Sequence, residues 1–276
     1  MKWLQFILSH SIFIAFCAVA MCFQTAALLQ LQTDYWLTGF VFFATLFSYN
    51  SYWLFSKKIF GSVFYQQIFF KKERFKIALL AIYLTGLITC YFQTSLTVNL
   101  VWPALLLNIL YIVPLLPYKA LRFTRRLGVL KTILLAFTWM FVTGFLPMQQ
   151  SALSLTNFEA VLLLNRFLFM LLLCVVFDNR DVAVDKIKGL HSIATGLKPA
   201  SVKFLVVMLF ILLAGSVYML QYLGLNLEQA FALLISAIAT GYIFYLSLQK
   251  RSYFFYYFFV DGMMLFSAIA TYIAGI

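Results

Sequence analysis

The segment Asp178-Asn179-Arg180-Asp181-Val182-Ala183-Val184-Asp185 holds three of the chain's eight acidic residues. Their spacing of i, i+3, i+7 puts all three carboxylates on one face of a helix. Gathered carboxylates repel one another unless a cation offsets them. Oxygen donors in this pattern suit Mg²⁺ carrying phosphate groups. The plainer alternative is a solvated helix start, where acids favour the positive end of the dipole. Arg180 lies between the acids but off their face, so it pairs either with an acid or with a bound phosphate. The surroundings of the segment decide how it is read.

Those surroundings are apolar. The chain of 276 residues is 64% hydrophobic and 10% charged, with a mean hydropathy of +0.98. A soluble domain carries about 25% charged residues, so an integral membrane protein of all-α class is expected. About 20 apolar residues cross a bilayer as a helix. Runs of that kind lie at about 4–31, 35–56, 76–94, 98–117, 128–147, 158–177, 202–223, 227–248 and 253–275, which predicts nine spans. No removable signal peptide and no separate soluble domain are expected. Cys17, Cys22, Cys90 and Cys174 all sit in apolar runs and read as small buried side chains. His10 and His191 neighbour no cysteine, so a zinc site is not expected.

With nine spans, every Lys and Arg except Arg166 falls on one side of the membrane. The positive-inside rule makes that side cytoplasmic, with the N-terminus inside and the C-terminus outside. The net charge of +12 then reflects topology and anionic lipid rather than nucleic acid. Arg166 and Asp261 fall within spans, where ionisable groups need a partner or a watery cavity. Asp261 is a candidate partner for Arg166. Tyr253, Tyr256 and Tyr257 beside Arg251 read as an interfacial aromatic belt. His10, flanked by Ser9 and Ser11, reads as a hydrogen-bonded histidine at a helix end.

The acidic segment thus caps the cytoplasmic end of the sixth span, among basic connections. Acids for Mg²⁺ and Lys or Arg for phosphate oxygens make a diphosphate site. A ligand with a diphosphate head and a hydrocarbon tail, such as a polyprenyl diphosphate, suits both environments.

On these residues the chain resembles the UbiA superfamily of intramembrane prenyltransferases over nearly its full length. Asp178-x-Arg180-Asp181-x-x-x-Asp185 followed by Lys186-Ile187-Lys188-Gly189 is similar to the family's second aspartate motif. Tyr111 to Pro147, with Lys119, Arg122, Gly128 and Gly144, is similar to its fourth span, basic loop and fifth span. The resemblance implies one transmembrane domain over 1–276, with about nine helices around a central cavity. It also implies transfer of an isoprenoid chain from its diphosphate to a hydrophobic acceptor. Mg²⁺ would be held at Asp178, Asp181 and Asp185.

The first aspartate motif departs from the family. The family's N-D-x-x-D-x-x-x-D aligns on Asn50, and its three acids become Ser51, Leu54 and Lys58. Half of the metal site is therefore missing, and one Mg²⁺ rather than two is expected. Asn50, Lys58, Lys119, Arg122 and Arg180 are the candidate diphosphate contacts. For Lys58, Lys119 and Arg122 the alternative is a juxtamembrane charge that only sets topology. Two readings of the chain follow. One is a prenyltransferase with an altered site in a bacterial inner membrane. The other is a non-catalytic relative that binds a lipid or partner. A transporter fits less well, because no paired inverted repeat is visible.

Overall fold

The computed structural model describes residues 2–60, 70–94, 96–112, 128–148, 155–188 and 193–276. Among them the chain is all helical. α1 (Lys2–Ser9) and α2 (Ile12–Leu28) are followed by α3 (Tyr35–Phe60), α4 (Phe70–Gln93) and α5 (Val98–Ile112). α6 (Gly128–Met140) continues through a π-helical turn (Phe141–Phe145) into α7 (Leu146–Met148). Then come α8 (Asn157–Lys188), the short α9 (Ile193–Gly196), α10 (Pro199–Tyr222) and α11 (Leu227–Ser247). A second π-turn (Phe255–Val260) leads into α12 (Asp261–Ile273).

Each of the nine apolar runs carries a helix. By length and composition six described helices qualify to cross a membrane, and counting the bent pair α1–α2 as one makes seven. The first run is not one straight helix. It breaks between Ser9 and Ile12 with a bend of 68°, and Ser11 takes a left-handed conformation at the break (φ 59°). An unbroken apolar run gives no sign of such a bend.

α2, α3 and α4 pack in chain order, as do α5, α6, α8, α10, α11 and α12, and α12 packs against α2. α8 is the most enclosed. Leu168–Val176 are buried on every face of the helix, as expected of a helix apolar all round. At 32 residues it is about 48 Å long. That is enough to cross a hydrocarbon core of about 30 Å and extend beyond it.

Local chemistry explains the helix ends and turns. Thr156 and Glu159 form a reciprocal cap at the start of α8: Thr156 N–H donates to the Glu159 carboxylate (2.7 Å), and Glu159 N–H donates to Thr156 Oγ1 (3.2 Å). Asp34 caps α3 by accepting from the Trp36 and Leu37 amides, and also accepts from Thr94 Oγ1 (2.8 Å). The π-turn after α6 frees carbonyls that α2 satisfies. Thr25 Oγ1 donates to Thr143 O (2.8 Å), and Cys22 Sγ points to Val142 O (3.9 Å). Gly144 in that turn lets α8 approach, since a Cβ there would stand 2.9 Å from Leu163 Cδ2.

Candidate functional site

Asp178 is three turns from the end of α8 and is tied down from two sides. Its Oδ2 accepts from Thr132 Oγ1 on α6 (2.6 Å) and from the Ile193 amide at the start of α9 (3.2 Å). Thr132 is buried (3% exposed). The acid thereby fixes the register of α6 and α9 against α8.

Asp181, one turn on, meets Arg180. Arg180 Nε donates to Asp181 Oδ1 (2.6 Å) and Nη2 to Oδ2 (2.7 Å), a two-pronged ion pair. The same guanidinium lies 5.0 Å from the Phe177 ring centroid and 5.2 Å from those of Tyr256 and Tyr257, within cation–π range of all three. Both side chains keep partial access to solvent, 25% for Arg180 and 39% for Asp181. Of the two sequence readings of Arg180, the structure places it on the acid. Tyr253 is exposed, as a belt residue should be, but Tyr256 is buried (3%). The belt reading of Tyr256 is therefore corrected: the second π-turn carries that ring inward to Arg180.

Asn50 serves the break between α1 and α2. Its Nδ2 donates to His10 O (3.0 Å) and to Leu46 O (2.8 Å). His10 Nδ1 lies 3.0 Å from Phe6 O and 3.1 Å from Ser9 Oγ, in keeping with a helix-end histidine. Lys58 lies on α3 and Asp185 on α8, but both side chains fall outside the described set. Lys119 and Arg122 lie outside the described residues altogether. Asp178, Arg180 and Asp181 are thus brought together on α8.

Arg166 and Asp261 are both buried, at 4% and 3% exposure, but they do not pair. The expectation that Asp261 partners Arg166 is corrected. Arg166 Nη1 donates to Met21 O (3.3 Å) and Nη2 to Thr25 Oγ1 (3.0 Å). It lines a small cavity with Gln24, Asn165 and Ser267. Asp261 lines a separate one with Ser11, Tyr49 and Tyr257. The sequence marks Asp261 as an intramembrane acid, but its neighbours come from α1, α2, α3 and the second π-turn rather than from α8 near Arg166. Its position directly after a cluster of aromatic residues is the signal that was available.

The helices follow the same course as a solved structure of a digeranylgeranylglyceryl phosphate synthase in membranes. The TM-score is 0.60 at 14% identity, over 100% of this chain and 99% of the other. This chain shares the fold of that membrane synthase. No protein-family model matches the sequence, and no curated protein does. The acidic segment lies on α8, at the end of the sixth apolar run.

Proposed function

We propose that this protein is a membrane prenyltransferase that moves an isoprenoid chain from its diphosphate to a hydrophobic acceptor. The observation that carries this reading is the acidic end of α8 on a full-length prenyltransferase fold. Asp178, Asp181 and Asp185 would supply an oxygen-only donor set of the kind that suits Mg²⁺. Asp178 is held rigidly by Thr132 and Ile193, whereas Asp181 is shared with Arg180. The metal, when bound, neutralises charge on the departing diphosphate.

The chain's own residues do the rest. Arg180 leaves Asp181 for the diphosphate oxygens, trading one bidentate anion for another. Its move exposes both Asp181 oxygens. The rings of Phe177, Tyr256 and Tyr257 limit how far the guanidinium travels. Lys58 stands in for the last acid of the first motif and contributes a single positive charge in place of a second ion. Lys119 and Arg122 complete the diphosphate contacts. The whole chain forms one domain of nine spans in a bacterial inner membrane, with the N-terminus in the cytoplasm. Reporter fusions at the two termini test that topology; both reporting the same side refutes it.

One observation favours the second reading, a non-catalytic relative that binds a lipid or partner. The Arg180–Asp181 pair is closed and ring-capped, so it satisfies the acid without any metal. Turnover separates the two. Purified protein in detergent is incubated with radiolabelled geranylgeranyl diphosphate, Mg²⁺ and candidate acceptors. Label appearing in an acceptor supports the transferase. Binding of the diphosphate without any loss of its label supports the relative.

A further inference from the structure

Asp261 stands on α12 immediately after the second π-turn, and it is 3% exposed. Its carboxylate accepts no hydrogen bond among the described residues. Yet no sealed side-chain oxygen among them lacks a partner. The Asp261 oxygens are therefore not sealed, and the residue lines a cavity. That cavity has room for about one water. Its other walls are Leu8, Ser11, Phe13, Ile14, Tyr49 and Tyr257.

The walls come from both halves of the site. Tyr49 precedes Asn50, the residue kept from the first motif, and Asn50 holds the α1–α2 break that supplies Leu8 and Ser11. Tyr257 is the ring that touches Arg180, and Arg180 forks onto Asp181. A single side chain thus separates the cavity from the guanidinium at the acidic segment. A buried carboxylate with no donor is costly in a fold that has no use for it. The cavity is large enough for one water, which would supply that donor.

We propose that Asp261 holds this water as a nucleophile and gives the protein a prenyl diphosphate hydrolase activity when no acceptor is bound. The inference rests on the proposed diphosphate site. In the reaction, the bond between C1 of the allylic chain and the diphosphate oxygen breaks, and the electron pair leaves on the diphosphate. The water oxygen bonds to C1. The water proton passes to the Asp261 carboxylate and later to solvent. The products are a prenyl alcohol and diphosphate. The Tyr49 and Tyr257 rings face the developing positive charge and exclude other water.

The test uses the full chain in detergent with geranylgeranyl diphosphate, Mg²⁺, no acceptor and ¹⁸O-labelled water. Binding of the diphosphate is measured in parallel. The expected product is geranylgeraniol with ¹⁸O in its hydroxyl. Asp261→Asn should lower its rate by about 100-fold or more while binding is unchanged and the protein melts no lower than wild type. A merely structural acid would lower the melting temperature instead. Asp261→Glu keeps the carboxylate, retains part of the rate and serves if the Asn variant does not fold. Unlabelled alcohol, meaning cleavage at phosphorus, overturns the proposal. So does a wild-type rate in both variants, or binding by wild type with no alcohol formed. If wild type does not bind the diphosphate at all, the prenyltransferase reading itself has failed and this inference falls with it.

Discussion

α8 carries two arginines in opposite circumstances. Arg166 is enclosed and donates only to neutral oxygens of α2, with no carboxylate in ion-pair range among the described residues. Arg180, fourteen residues later and about 21 Å along the axis, has an acid and three rings around it and still touches solvent. A guanidinium bound to a backbone carbonyl and a threonine has nowhere else to go, so Arg166 acts as a clamp between helices. A guanidinium on an accessible carboxylate can be exchanged for another anion of the same shape. The same residue type is thus structural in one half of the helix and available for chemistry in the other.

The largest effect that would sharpen this contrast is on stability. Arg166→Ala should cost about 2–5 kcal/mol in thermal or denaturant unfolding, because it empties a packed site. Arg166→Met fills the same volume without the charge and should cost less than about 1.5 kcal/mol. Equal losses for the two variants would mean that the charge itself is required, and the clamp reading would be wrong. Next in size is Asp181→Asn, which should reduce prenyl transfer by about 100-fold and remove paramagnetic broadening by Mn²⁺ near α8. Unchanged broadening would take the metal away from Asp181.

Arg180→Lys keeps the charge but loses the fork. It should weaken diphosphate binding by about tenfold and leave stability within about 0.5 kcal/mol; a large drop in melting temperature would make Arg180 a second clamp. The smallest effect is expected at Lys58. Lys58→Ala should weaken binding of a prenyl diphosphate by about threefold, a single charge pair being worth up to about 1 kcal/mol, whereas Lys72→Ala should not. Equal binding by the two variants reduces Lys58 to a topology charge.

The helical runs and the acidic segment were legible because each depends on residues close in sequence. Span length shows as an unbroken apolar stretch, and the spacing of Asp178 and Asp181 puts them one turn apart on α8. Contacts across the fold left no such mark. Opposite charge within spans makes Asp261 a candidate partner for Arg166, yet the partners of Arg166 are a carbonyl and a hydroxyl of α2. Any of the chain's many threonines and carbonyls would have looked the same in the sequence. The bend at Ser11 was hidden for a similar reason, because the apolar character of the run continues straight through it. Tyr256 was misplaced because a π-turn, invisible in residue type, decides which way the ring faces.

The π-turn at Phe141–Phe145 behaves as a residue inserted into an otherwise continuous helix. Each residue of an α-helix advances about 100° around its axis. Deleting any one residue from the turn, and so restoring regular winding, would rotate everything before it by that angle relative to Pro147. Thr132 would then swing off Asp178, and α8 would lose its register partner with every side chain of the acidic segment intact. Chain length within the five residues that follow α6 is therefore what keeps Thr132 on Asp178.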